Sequence, residues 1–153
     1  MTHDPKIPLN ILLADDDSDD RLFFTDALKK ISLPTGLTMV NDGQRLMDYL
    51  ANNITNLPDV IFLDLNMPCK NGDECLDEIK RNVNLQHIPV VICSTSRNEE
   101  ISDKLHKTGA HYYLCKGELA DLARSIEKVL GYLIKDNLQP ARNNFMLKLE
   151  AFA

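Results

Sequence analysis

Two short apolar runs in this chain each end in acid. Ile11, Leu12, Leu13 and Ala14 lead into Asp15, Asp16 and Asp17, while Val60, Ile61, Phe62 and Leu63 lead into Asp64, Leu65, Asn66, Met67 and Pro68. As neighbouring strands of a parallel sheet, the two runs bring their acids together at one edge. Carboxylates about 5 Å apart repel by roughly 3 kcal/mol at an effective dielectric of 20, so a fold that gathers Asp15, Asp16 and Asp64 requires a compensating cation. Asp16 and Asp64 can each give one oxygen to a small hard ion, Asp15 can hold one of its waters, and the backbone carbonyl of Asn66 is within reach. An all-oxygen set that leaves room for water suits Mg2+ better than zinc, with Mn2+ as a substitute.

Two other strand ends supply complementary groups. Ser94 closes Ile92-Cys93-Ser94, and Lys116 closes Tyr113-Leu114-Cys115-Lys116. A phosphoryl group beside the cation would find a hydroxyl donor in Ser94 and an ammonium in Lys116, which makes Asp64 the natural nucleophile. Each residue has a plainer reading as well. Lys116 alone is a surface lysine, Ser94 alone a strand-end hydroxyl with Thr95 as its rival, and Tyr113 alone is strand filling. Asp17, Asp19 and Asp20 read as a helix cap and first-turn acids that complement the helix dipole rather than as ligands.

The elements that position these groups are legible from periodicity. Apolar runs without strict alternation recur at Ile11 to Ala14, Leu37 to Val40, Val60 to Leu63, Val90 to Cys93 and Tyr112 to Cys115, the pattern of buried parallel strands. Helical spacing separates them: Phe24, Ala27, Leu28 and Ile31; Leu46, Tyr49 and Leu50; Leu76, Ile79 and Val83. A last, longer stripe runs through Leu119, Leu122, Ala123, Ile126, Val129, Leu130 and Leu133. The segment from Asn98 to Thr108 has mainly Ile101 and Leu105 as apolar anchors, so its helix is expected to sit shallowly and to move most readily. Alternating strands and helices predict an α/β fold, a doubly wound parallel sheet with helices on both faces and its ligand crevice beyond the carboxyl ends of the strands.

Composition narrows the function classes. At 153 residues and 44% hydrophobic, the chain supports one core, with a domain over residues 1–136 and an extension over 137–153 whose periodicity fits strand and helix equally. Its 17 basic and 23 acidic residues, a net charge of −6, argue against a nucleic-acid or anionic-membrane partner and favour proteins and small ions. No apolar run is long enough to span a bilayer and the first residues carry no secretory pattern, so a cytoplasmic location is expected. Cys69, Cys75, Cys93 and Cys115 form no CxxC pair, and the four histidines lack metal-ligand spacing.

Asp15-Asp16, Asp64 followed by Met67-Pro68 and Gly72, the strand-terminal Ser94, Tyr113 and Lys116 stand in the order and spacing of one family. Over about residues 7–136 the chain resembles a response-regulator receiver domain of the stand-alone, chemotaxis type. The resemblance implies a flavodoxin-like, five-stranded sheet in the order 2-1-3-4-5. It implies that Asp64 accepts a phosphoryl group from a sensor histidine kinase or phosphotransfer protein, with Mg2+ held by Asp15, Asp16, Asp64 and the Asn66 carbonyl. Lys116 would contact the phosphoryl oxygens, while Ser94 and Tyr113 would be the switch hydroxyl and the switch aromatic, whose ring turns inward. Such a protein catalyses only its own phosphorylation and dephosphorylation, and its output runs through a downstream protein. One departure is Gly117, where the family usually has proline after a cis bond; a trans Lys116–Gly117 link is expected here.

Two other functions use similar residues. A haloacid-dehalogenase-type phosphohydrolase also forms an aspartyl phosphate at a strand end, but it wants a second Asp where Asn66 stands. An unphosphorylated receiver-like binding module would not need Asp64, Lys116 and the acidic pair together. The extension is expected to pack on its own domain, with docking onto a second copy, a homodimer, as the other reading of Phe145, Met146, Leu147, Leu149 and Phe152.

Overall fold

A computed structural model describes residues 7–95 and 98–147. The chain alternates strand and helix: β1 (Leu9–Ala14), α1 (Ser18–Lys29), β2 (Thr35–Val40), α2 (Gly43–Asn52), β3 (Val60–Asp64), α3 (Gly72–Arg81), β4 (Val90–Ser94), α4 (Glu99–Thr108), β5 (Tyr112–Cys115) and α5 (Leu119–Lys135). The strands form one parallel sheet in the order β2-β1-β3-β4-β5, as the resemblance implied. Every residue of β3 and β4 is buried, which is why these strands read as unbroken apolar runs.

Each sheet face carries its own apolar layer. Leu13, Phe24, Ala27, Phe62, Val91, Leu114, Ile126 and Val129 pack between the sheet and α1 and α5. On the opposite face Leu12, Leu46, Leu50, Ile61, Leu63, Leu76, Ile79, Ile92 and Leu105 pack against α2, α3 and α4. Most helix starts are set by a side chain that accepts orphan N–H groups. Asp17 accepts from Asp19 and Asp20, Asp42 from Arg45, and Asn98 from Glu100 and Ile101, while Asn71 and Glu74 form a reciprocal capping box. Val83 departs from its expected place: α3 stops at Arg81, Val83 is 77% exposed, and Leu85 and Ile88 fill the core instead. The helical spacing continued past the point where the chain turns at Asn82.

The extension packs on its own domain as far as it is described. Gln139 donates to the backbone carbonyls of His106 and Ala110, the His106 ring meets the Pro140 carbonyl at 2.8 Å, and a short 3-10 turn follows at Arg142–Asn144. The chain then runs beside β5 in parallel, the Tyr113 N–H donating to the Phe145 carbonyl and the Leu147 N–H to the Tyr113 carbonyl. Backbone groups that an edge strand would otherwise leave open are thereby paired. Phe145 itself has helical backbone angles and Met146 makes a single isolated bridge to Tyr113, so the segment is neither a regular strand nor a helix; Leu149 and Phe152 lie outside the described residues.

Candidate phosphoacceptor and metal site

The carboxyl ends of β1 and β3 are adjacent, with Ala14 in register with Leu63, so Asp15 and Asp64 emerge side by side. One carboxylate oxygen from each of Asp15, Asp16 and Asp64 lies within 4.8 Å of the others. Asp15 and Asp64 are buried and Asp16 is exposed. The turn after β1 is held by the Asp17 N–H, which donates to Asp15 Oδ1, and by the Arg21 guanidinium, which donates to the Asp15 carbonyl. Oxygen is the only donor type in the cluster, and two of its acids are shielded from water. That set fits a small divalent cation, which would remove the mutual repulsion.

The loop after β3 is drawn tight beneath Asp64. Gly72, the first residue of α3, sits so close that a Cβ there would stand 2.3 Å from the Asp64 carbonyl oxygen, and its N–H donates to the Leu65 carbonyl. Cys69 has a φ of 67°, a left-handed conformation that costs a non-glycine residue on the order of 1 kcal/mol. Burial raises the Asp64 carboxyl to about 6, reinforced by the charges of Asp15 and Asp16, while Lys116 and a backbone hydrogen bond from Asn66 oppose the rise. A carboxylate with that value is largely ionised at neutral pH and still close to the cost of losing its charge.

Lys116 leaves β5 and reaches across the crevice. Its ammonium donates to Asp15 Oδ2 at 2.8 Å and to Asp20 Oδ2 at 2.9 Å, and stands 3.6 Å from Asp64 Oδ1. Burial alone would lower its pKa, but its hydrogen bonds to Asp15 and Asp20 and the charges of Asp15 and Asp64 raise it on balance. The lysine is therefore a fixed cation at neutral pH. The Lys116–Gly117 bond is trans, as expected, and the Lys116 N–H donates to the Ser94 carbonyl.

Ser94 is buried at the end of β4, one residue beyond the position paired with Asp64, whereas its rival Thr95 is exposed. The Asn66 side of the loop is exposed, and its backbone reaches Asp64 through the hydrogen bond already described. Tyr113, the residue at the switch-aromatic position, is fully buried here, with the Phe145 ring 6.2 Å away edge to face. Asp20 is the site residue that its sequence context hid. The capped first turn of α1 accounted for it, and its pairing with Lys116 depends on α1 packing beside α5. A cavity of about 310 Å3 opens there, bordered by Asp15, Asp20, Phe23, Lys116 and Gly117.

Comparison with known proteins agrees with this geometry. The model of the response regulator receiver domain matches residues 11–127. Response regulator Rcp1 of Synechocystis sp. is 32% identical over 146 residues, which cover 92% of this chain and 99% of Rcp1. The probable methanogenesis regulatory protein FilR2 of Methanothrix harundinacea is 29% identical over 137 residues, covering 87% of this chain and 88% of FilR2. The crystal structure of the Mn2+-bound form of Rcp1 superposes with a TM-score of 0.73 at 32% identity, over 88% of this chain and all of that one. The phosphorylated cyanobacterial phytochrome response regulator RcpA gives 0.76 at 31% identity, with the same 88% of this chain and all of its own covered. Receiver domains bind a divalent metal and work with histidine kinases or phosphotransfer proteins; they are signalling proteins rather than classical enzymes. No helix among the described residues is long and apolar enough to cross a membrane. With a family match over most of its length and a full-length relative above 30% identity, the chain belongs to the response regulator receiver domain family, the phosphoacceptors of two-component signalling.

Proposed function

We propose that Asp64 is the phosphoacceptor and that the chain is a cytoplasmic switch, charged by a sensor histidine kinase or a phosphotransfer protein and read by a downstream protein. The observation that carries this reading is the convergence of Asp15, Asp16 and Asp64 within 4.8 Å of one another, with the Lys116 ammonium 3.6 Å from Asp64. Asp15, Asp16, Asp64 and the Asn66 carbonyl are the groups that would hold Mg2+. When bound, Mg2+ neutralises charge on the phosphoryl oxygens. An Asp64 oxygen forms a bond to phosphorus as the P–N bond to the donor imidazole breaks and its electron pair returns to the ring nitrogen. Lys116 then pairs with one phosphoryl oxygen and the Ser94 hydroxyl donates to another. The reaction is the chain's own modification and its reversal, with no other substrate turned over.

Phosphorylation brings about −1.5 to −2 charge and three acceptor oxygens to the crevice, which pulls on Ser94 and Lys116 at the ends of β4 and β5. β4 leads into α4, whose inner contacts are mainly Leu105 and Ser102. The composite face of α4, β5 and residues 139–147 is where the shift would be read, by population change between two packings. Tyr113 takes part through its contact with Phe145, and a second copy of the chain is one partner this face could serve.

The test is incubation with acetyl phosphate and Mg2+. A stable mass increment of one phosphoryl group on Asp64, absent in Asp64→Asn, is expected. Multiple turnover of unrelated phosphate esters would instead indicate a hydrolase, and an unmodified protein would indicate a plain binding module.

A further inference from the structure

Lys116 and a divalent cation draw on the same carboxylates. The ammonium is 2.8 Å from Asp15 and 3.6 Å from Asp64, two of the three acids that could hold the ion. A lysine placed there is a built-in rival to the metal unless something else holds its charge. Asp20 is that something: its Oδ2 lies 2.9 Å from Lys116 Nζ, yet it is not one of the three clustered acids. It stands on the first turn of α1, fixed by its N–H donating to the Asp17 cap. Asp20 is more open to solvent than Asp15 or Asp64, its side chain being 39% exposed against 3% and 9%.

We propose that Asp20 is a positioning residue that acts through Lys116, holding the ammonium on the α1 side so that Asp15 and Asp64 stay available to a divalent cation. This rests on the phosphoacceptor reading of the crevice. With the cation in place, Asp15 is committed to it, and Asp20 leaves Lys116 half of a neutral pair rather than a bare ammonium facing a dication. When a phosphoryl group arrives on Asp64, Lys116 has a short exchange to make, from an exposed carboxylate to a phosphoryl oxygen. Without Asp20 the lysine falls back on Asp15 and Asp64 and excludes the metal.

A double-mutant cycle read by Mn2+ affinity tests this, using the full chain and electron paramagnetic resonance of the free ion. Asp20→Asn is expected to weaken Mn2+ binding about fivefold to tenfold, a change of about 1.0 to 1.4 kcal/mol. Asp20→Glu, which keeps the charge, should return the affinity to within about twofold of the parent. Lys116→Met should tighten binding, and in that background Asp20→Asn should lose most of its effect because there is no ammonium left to hold. At saturating Mg2+, Asp20→Asn should change the KM for acetyl phosphate more than the maximal rate, because Lys116 is then differently placed for an incoming anion. The same fold-weakening with and without Lys116 would make Asp20 a distant charge and overturn the proposal, as would no weakening in either background. If the parent binds Mn2+ and is modified on Asp64 but Asp20→Asn behaves like it, only the role of Asp20 fails; if the parent does neither, the phosphoacceptor reading fails with it.

Discussion

Two cations in this molecule each bridge carboxylates, and they do different work. Lys116 joins Asp15, Asp20 and Asp64 in the crevice, and Arg142 joins Glu99 and Asp103 where the extension crosses α4. Lys116 is 15% exposed and its closest partner Asp15 only 3%, whereas Arg142 is 31% exposed and Glu99 83%. Screening by water leaves an exposed pair worth about 0.2 to 1 kcal/mol, while a buried group feels its neighbours strongly enough for its protonation to be reset. The crevice therefore holds charge poised against burial. The extension is held instead by packing and backbone pairing, with Phe145 fully buried and the Arg142 guanidinium 5.8 Å from its ring centre.

The sharpest way to break the comparison is to remove the apolar part of the extension. Phe145→Ala should cost about 3 to 5 kcal/mol, seen as a lower denaturation midpoint, and should speed amide exchange of residues 139–147 and Tyr113 while the crevice still binds Mn2+. Gly72→Ala attacks the other region. The added methyl has no room against the Asp64 backbone, so a loss of about 2 kcal/mol or more is expected, together with slower phosphorylation by acetyl phosphate because the nucleophile is displaced.

Asp64→Asn should go the other way and stabilise the metal-free protein by about 3 kcal/mol at pH 7. Because burial raises the Asp64 carboxyl from 3.8 to about 6, its ionised form is disfavoured in the folded chain. That penalty is fully present above about pH 6 and gone below 3.8, so the advantage of Asp64→Asn should vanish as denaturation is repeated toward pH 4. His111, beside the start of the extension, supplies the opposite slope. Burial and the charge of Lys80 push its imidazole from 6.5 to about 4, opposed by the Asn137 carbonyl, which accepts from the ring, so the stability it contributes is lost as pH falls through that window. His111→Gln should flatten the acid side of the profile. The smallest effect belongs to Arg142→Ala, expected to cost under about 1 kcal/mol and to shrink in high salt; a salt-independent loss above that would place the bridge on a par with Lys116.

Much of this was legible in the linear chain because it depends on local rules. Fully buried strands leave unbroken apolar runs, and β3 and β4 are buried along their whole length. Caps leave a polar residue before most of the helices, as Asp17, Asp42, Asn71 and Asn98 do. The carboxyl-end placement of Asp15, Asp64, Ser94 and Lys116 followed from the topology alone. Where the reading failed, the missing information was the path of the chain. Val83 kept helical spacing although the helix had ended, and the chain turns at Asn82 so that Leu85 and Ile88 fill the core in its place.

The residues themselves determined the parallel sheet, the acids that gather at its edge, and the chemistry those acids share with a lysine and a hydroxyl, since burial pattern and side-chain type are written position by position. Only the tertiary structure decided that Asp20 holds Lys116 beside the cluster and that the extension lies along β5. Both depend on how α1 and the segment after α5 pack against distant parts of the chain, and packing across such separations is settled by shape and burial summed over the whole fold rather than by any local pattern.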